Sequence, residues 1–225
     1  MYFHLEDWFP IFFSLRIAFI SLLMVTCIGL PVARLLARIE FPGKEILEAA
    51  ITLPLVLPPS VIGYGLLILI GKNGIIGKFL MEMGITLVFT WWAAILASTV
   101  VAFPLMYQSA KAAFKSVDPS FEKVARTLGA NECRVFFTVT LPLACPGILA
   151  GVVLSFARAL GEFGATLMVA GNIPGKTQTI PLAIYFAVDS GDDVTARTLV
   201  AIITVFSFLV IYAVNRWAKK QNHMR

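Results

Sequence analysis

The chain has 225 residues, 59% of them hydrophobic and only 14% charged, with a formal net charge of +5. A soluble domain carries about 25% charged residues, so this composition excludes one and points to an integral membrane protein. The positive excess is accounted for below by topology, without nucleic acid.

The chain opens MYFHLEDWF, with Glu6 and Asp7 where a cleavable signal needs a basic segment, so the first apolar run is expected to stay in the protein. Uncharged runs cover Ile17 to Ala33, Ile51 to Ile70, Met83 to Ala110, Val135 to Ala157 and Thr198 to Asn215. A helix needs roughly 17 to 25 apolar residues to cross the hydrocarbon, and the runs predict five spanning helices in a single domain, 1–225. The second run holds Pro54, Pro58 and Pro59 and then Gly63 and Gly65. Proline frees backbone groups that lipid cannot satisfy, so this helix is either kinked for packing or lines a cavity. Between the last two runs, Gly171, Pro174, Gly175 and Pro181 interrupt the apolar pattern. The uncharged piece Thr177 to Val188 is too short to cross and reads as a partial helix on the outer side.

Charge orients the bundle. Arg34, Arg38, Lys44, Lys111, Lys115, Lys123, Arg126, Arg134, Arg216, Lys219, Lys220 and Arg225 flank one side, against Lys72, Lys78 and Lys176 on the other. Positive loops stay cytoplasmic, which predicts the N-terminus outside and the C-terminus inside. Cys27, Cys133 and Cys145 have no paired spacing and suggest neither a disulfide nor a zinc site.

Chemistry-bearing motifs are few. AGNIPGKT, Ala170 to Thr177, lacks the first glycine of a phosphate-binding loop, follows no strand and lies on the outer side. His4 and His223 stand at opposite ends of the chain, and no hydrolase or metalloprotease motif occurs, so no catalytic, metal or cofactor residue is assigned. Inside the fourth span, Gly147, Gly151, Ser155, Arg158 and Glu162 share one helical face. Small residues four apart allow close packing, so Arg158 and Glu162 are either a structural ion pair or part of a pathway. Ser60, Tyr64, Thr99 and Thr166 are further polar groups available for a lining.

The segment 118–142 stands apart. Asp118 and Pro119 form a helix start, and Phe121, Val124, Ala125 and Leu128 recur on one apolar face, with Lys123 and Arg126 elsewhere. Gly129 supplies a left-handed stop, Asn131 caps a second helix, and VFFTVTLP leads directly into the fourth span. Two readings fit this pattern: a helix resting on lipid headgroups, or one docked on a soluble partner and levering the span.

This stretch resembles the cytoplasmic signature of ABC importer permeases, E-A-A-x-x-x-G followed by I-x-L-P. Ala125, Gly129, Leu141 and Pro142 match, with TVT, Thr138 to Thr140, just before the last pair; Lys123 takes the acidic position, with Glu122 one place early, and Val124 replaces an alanine. FPGKEILEAAITLPLVLPPSVIGYGLLIL and EFGATLMVAGN with TQTIPLAIY extend the resemblance to molybdate permeases over nearly the whole chain. The resemblance implies an all-α permease of a bacterial or archaeal plasma membrane, working as a homodimer in alternating access. It implies two cytoplasmic ATP-binding-cassette subunits that carry ATP and magnesium, and an extracytoplasmic oxyanion-binding protein. Phe121, Glu122, Lys123, Ala125, Arg126, Gly129, Leu141 and Pro142 would then form the coupling region, with Arg158 and Glu162 in the pathway or as an internal pair. A sulfate or tungstate permease of the same plan is the alternative. A stand-alone channel, secondary transporter or membrane enzyme fits less well, since Glu162 is the sole acidic residue within the predicted spans and no inverted repeat is visible.

Overall fold

The computed structural model describes residues 8–222, and no strand occurs among them. Glu6, Asp7, His4, His223 and Arg225 lie outside the described residues. α1 (Phe9–Arg38), α5 (Trp91–Lys115), α8 (Leu141–Leu160) and α11 (Asp193–Asn222) supply four helical stretches long and apolar enough to cross a membrane, α8 through its continuation back to Glu132.

The second predicted span is interrupted at its prolines, as their spacing leads us to expect. It is not a continuous helix: α2 (Lys44–Thr52), a 3₁₀ turn (Leu53–Leu55) and α3 (Pro59–Ile70) make a pair bent by 113°. Pro58 is extended (φ −54°, ψ 139°) and Pro59 begins α3, so consecutive prolines end one helix and start the next. Counted as one broken span, the pair brings the total to five.

The third run is corrected at its start. α4 (Ile75–Glu82) closes on Gly84 at φ +75°, and the chain stays non-helical to Thr90. Absence of charge marks what lipid tolerates and says nothing about backbone conformation, so loop and helix merged in the uncharged run. The interrupted segment after the fourth span resolves into α9 (Gly164–Ala170) and α10 (Ile180–Asp189), the second matching the expected partial helix.

α5 is the hub, and α1 and α8 pack along it through small residues. Ala18, Ala33, Ala102 and Ala110 are fully buried in that seam. A Cβ on Gly147 would stand 2.6 Å from the Ala113 Cβ, and one on Gly151 2.7 Å from the Ser109 Cβ. Without a hydrophobic driving force between helices in lipid, such close backbone approach supplies the dispersion contacts that hold them together.

Candidate functional site

The first candidate site is built on α6 (Pro119–Thr127). Asp118 caps it by accepting a hydrogen bond from the Ser120 amide at 2.8 Å, with Pro119 in the first turn. Gly129 turns the chain at φ +86°, where a side chain would strain the backbone. Asn131 then accepts from the Arg134 amide at 2.8 Å and caps α7 (Glu132–Val135). A π-helical turn, Phe136–Thr140, joins α7 to α8.

The two faces of α6 differ sharply. Outward, Phe121 and Val124 are more than half exposed and Leu128 is 83% exposed; Lys123 and Gly129 share that surface and Ala125 lies half-buried beside it. None of Phe121, Val124 and Leu128 belongs to a core cluster among the described residues. Inward, Glu122 is wholly buried. It pairs with Arg38, with Arg34 at 3.1 Å and with Arg126 at 3.6 Å, and accepts the Thr140 hydroxyl at 2.5 Å. Arg34 also lies over the Phe114 and Phe136 rings, at 5.5 and 5.6 Å. Burial pushes the Glu122 carboxyl up, but hydrogen bonds from Arg38, Thr140 and Arg34 outweigh it and hold the group at about 2. Arg126 reaches on to Glu132, at 2.5 and 3.0 Å. α6 is therefore bolted to the C-terminal end of α1 and to the π turn.

Sequence reasoning had placed Glu122 one position ahead of the motif's acidic site. The structure turns it inward, where its partners are Arg34, Arg38 and Thr140. Those three were missed as site residues, and Arg34 and Arg38 counted only as topology charges. Their spacing of four at the end of an apolar run was the available signal, since it puts both on one helix face. Leu141 and Pro142 open α8, Leu141 half-buried and Pro142 exposed.

The intramembrane residues form a second group. Arg158 Nη1 donates to Glu162 Oε2 at 2.6 Å, and Glu162 Oε1 accepts from the Ala165 amide at 2.7 Å in the first turn of α9. Ser60 and Tyr64 are exposed on α3. Thr99 and Thr166 are buried, Thr99 donating towards the Met24 sulfur at 3.9 Å, so the structure does not bring these four together as a lining. The Ala170–Thr177 stretch is a turn between helices, with Thr177 buried and bonded to the Ile173 amide and the Gly171 carbonyl. Among the described residues no three His, Cys, Asp or Glu side chains gather as a metal site.

Residues 26–222 match the family described as binding-protein-dependent transport system inner membrane component. The chain is 42% identical over 220 residues to the molybdenum transport system permease protein ModB of Escherichia coli, covering 97% of this chain and 96% of that protein. It is 46% identical over 211 residues to the protein of the same name from Haemophilus influenzae, covering 92% and 91%. The sulfate transport system permease protein CysT of Salmonella typhimurium is 35% identical over 202 residues, covering 90% of this chain and 73% of that one. Among solved structures, an inward-facing MetNI methionine ABC transporter has a TM-score of 0.71 at 19% identity, covering 94% of each chain. A bacterial ABC transporter importing alginate has a TM-score of 0.77 at 15% identity, covering 97% and 80%. At these identities the structural likeness is one of fold.

Proposed function

The chain belongs to the family of binding-protein-dependent transport system inner membrane components, and from that premise we propose that it is the permease of an ATP-driven importer carrying molybdate into the cytoplasm. Molybdate is favoured over sulfate because the molybdenum permeases share 42% and 46% of residues with it, against 35% for the sulfate permease. In this reading the N-terminus lies outside, and two copies enclose the path. An extracytoplasmic binding protein delivers the oxyanion to it. Two ATP-binding-cassette subunits supply the energy, holding ATP and magnesium themselves.

One observation carries the mechanism: α6 presents Phe121, Val124 and Leu128 outward while Glu122 anchors it from beneath. A soluble subunit can grip the apolar face, and any displacement passes through the ion cluster to α1 and through Thr140 to the π turn and α8. π turns inside helices are frequent at functional sites. The path then alternates between outward and inward access as α8 tilts against α5.

Reconstitution tests the reading. The chain with its ATPase and binding protein in proteoliposomes is expected to take up molybdate only with ATP. Cysteines introduced at Leu128 are expected to crosslink to the ATPase subunit. Uptake by the chain alone, or crosslinks that reach only lipid, would sink the proposal.

A further inference from the structure

One span of this chain is broken, and its break touches the break between α8 and α9. α3 begins at Pro59 after extended Pro58, and α8 gives way at Gly161 to the short α9. A Cβ on Gly164 would stand 2.9 Å from the Pro59 Cβ and 3.5 Å from the Ser60 nitrogen, so the two breaks are in contact.

Their depth follows from the neighbouring continuous span. α8 runs antiparallel to α5, with Gly147 against Ala113 and Gly151 against Ser109; the Ser155 hydroxyl then donates to the Ala102 carbonyl at 3.4 Å. Beyond the break, the Val169 carbonyl accepts from the Phe89 amide at 2.9 Å, just ahead of α5. Ala102 is close to the middle of α5, so Arg158, one turn past Ser155, lies near the midplane of the membrane.

Arg158 and Glu162 are not equally hidden there. Glu162 keeps 1% of its side-chain surface and Arg158 30%. Glu162 spends one oxygen on the guanidinium and the other on the first turn of α9, so it is fixed. Exposed beside the break are Gly161 and, on the touching helix, Ser60 and Tyr64. Hydrocarbon does not tolerate a guanidinium that shows free N–H groups. This exposed face therefore meets a water-filled path or a second copy. A guanidinium offers five N–H donors in a planar fork, a geometry suited to a tetrahedral oxyanion.

We propose that Arg158 is a transient oxyanion station on the translocation path, with Glu162 as its positioning residue. Glu162 holds the fork in place and cancels its charge, so the anion is held by hydrogen bonds without a net electrostatic trap. A lone arginine at this depth would bind a divalent anion too firmly to release it, because the low local dielectric strengthens unscreened charge. The inference rests on the transport reading above and adds to it a residue in the path.

The test uses the complete complex in proteoliposomes, with radiolabelled molybdate uptake and binding-protein-stimulated ATP hydrolysis read in parallel. Arg158→Gln is expected to lower uptake roughly tenfold while hydrolysis stays within about twofold. Glu162→Gln is expected to slow uptake and to leave labelled molybdate retained on the complex without ATP. The double variant is expected to stay as slow as Arg158→Gln. If the pair were only structural, the neutral double variant would recover uptake, and that result overturns the station. Should Arg158→Gln fail to assemble, Arg158→Lys keeps the ion pair but not the fork; undiminished uptake by it also overturns the station. A wild-type complex that moves no oxyanion sinks the transport reading and the station together, whereas normal wild-type and Arg158→Lys uptake sinks the station alone.

Discussion

Glu122 is a single carboxylate buried against Arg34 and Arg38, and its removal leaves those two without a counter-charge, while Arg126 keeps Glu132. Breaking a buried pair from one side costs about 3–5 kcal/mol. The fall of its pKa from 4.5 to about 2 corresponds to about 3 kcal/mol at neutral pH, in the same range. A depressed carboxylate stabilises the fold above its ordinary value and loses that contribution as pH falls towards the folded value. Glu122→Gln is therefore expected to melt earlier than wild type by an amount that is constant above pH 4.5 and shrinks towards pH 2. Thermal unfolding of the detergent-solubilised chain across that range checks it; a gap that does not narrow in acid means the carboxylate is not the source. Thr140→Val, which removes one neutral donor to the same oxygen, is expected to cost about 1 kcal/mol.

At the scale of elements, two glycines have different jobs. Gly129 sits at φ +86° with nothing within 4 Å of where a Cβ would be, so only the backbone resists a substitution. Asparagine tolerates that conformation, whereas a β-branched residue costs about 1–2 kcal/mol there. Gly129→Asn is expected to keep ATP-driven uptake and Gly129→Val to impair it, with equal amounts of chain in the membrane. Equal impairment by both would point to the docking surface instead of the turn. Gly151 has an ordinary helical conformation, and its constraint is space: a Cβ would meet Ser109 at 2.7 Å and the Met106 sulfur at 3.2 Å. Gly151→Val is expected to push α8 off α5 and to destabilise the chain by about 1–3 kcal/mol. A proteolysis or melting assay that shows no change would contradict the close α5–α8 seam.

On the scale of the molecule, the arrangement is one central helix with partners graded by burial. The most apolar window of α5 is 67% buried, against 39% for α1 and 11% for α11. α11 is peripheral, contacting mainly α10, and its Val205, Phe208 and Leu209 are exposed to whatever surrounds the chain. Orientation can be read from a native cysteine. Cys133 is exposed in α7, on the side that carries most of the positive loops. In a chain with Cys27→Ser and Cys145→Ser, a membrane-impermeant maleimide is expected to label Cys133 in inverted vesicles and not in right-side-out ones. The opposite pattern would reverse the topology derived from charge.

Composition and charge periodicity determined much of this by themselves: a membrane chain, its apolar runs, the caps at Asp118 and Asn131, and the stop at Gly129. These are local properties, fixed by the cost of exposing backbone or charge in lipid and by the conformations that one or two residues allow. Pro58 and Pro59 marked the break in the second run, but tertiary structure alone decided that the bend reaches 113°, that it touches the break after α8, and that Glu122 turns inward to arginines 84 and more positions away. Those outcomes depend on which helices become neighbours. No short window of sequence holds that information, because it records neither the angle at which two helices meet nor which distant side chains come together.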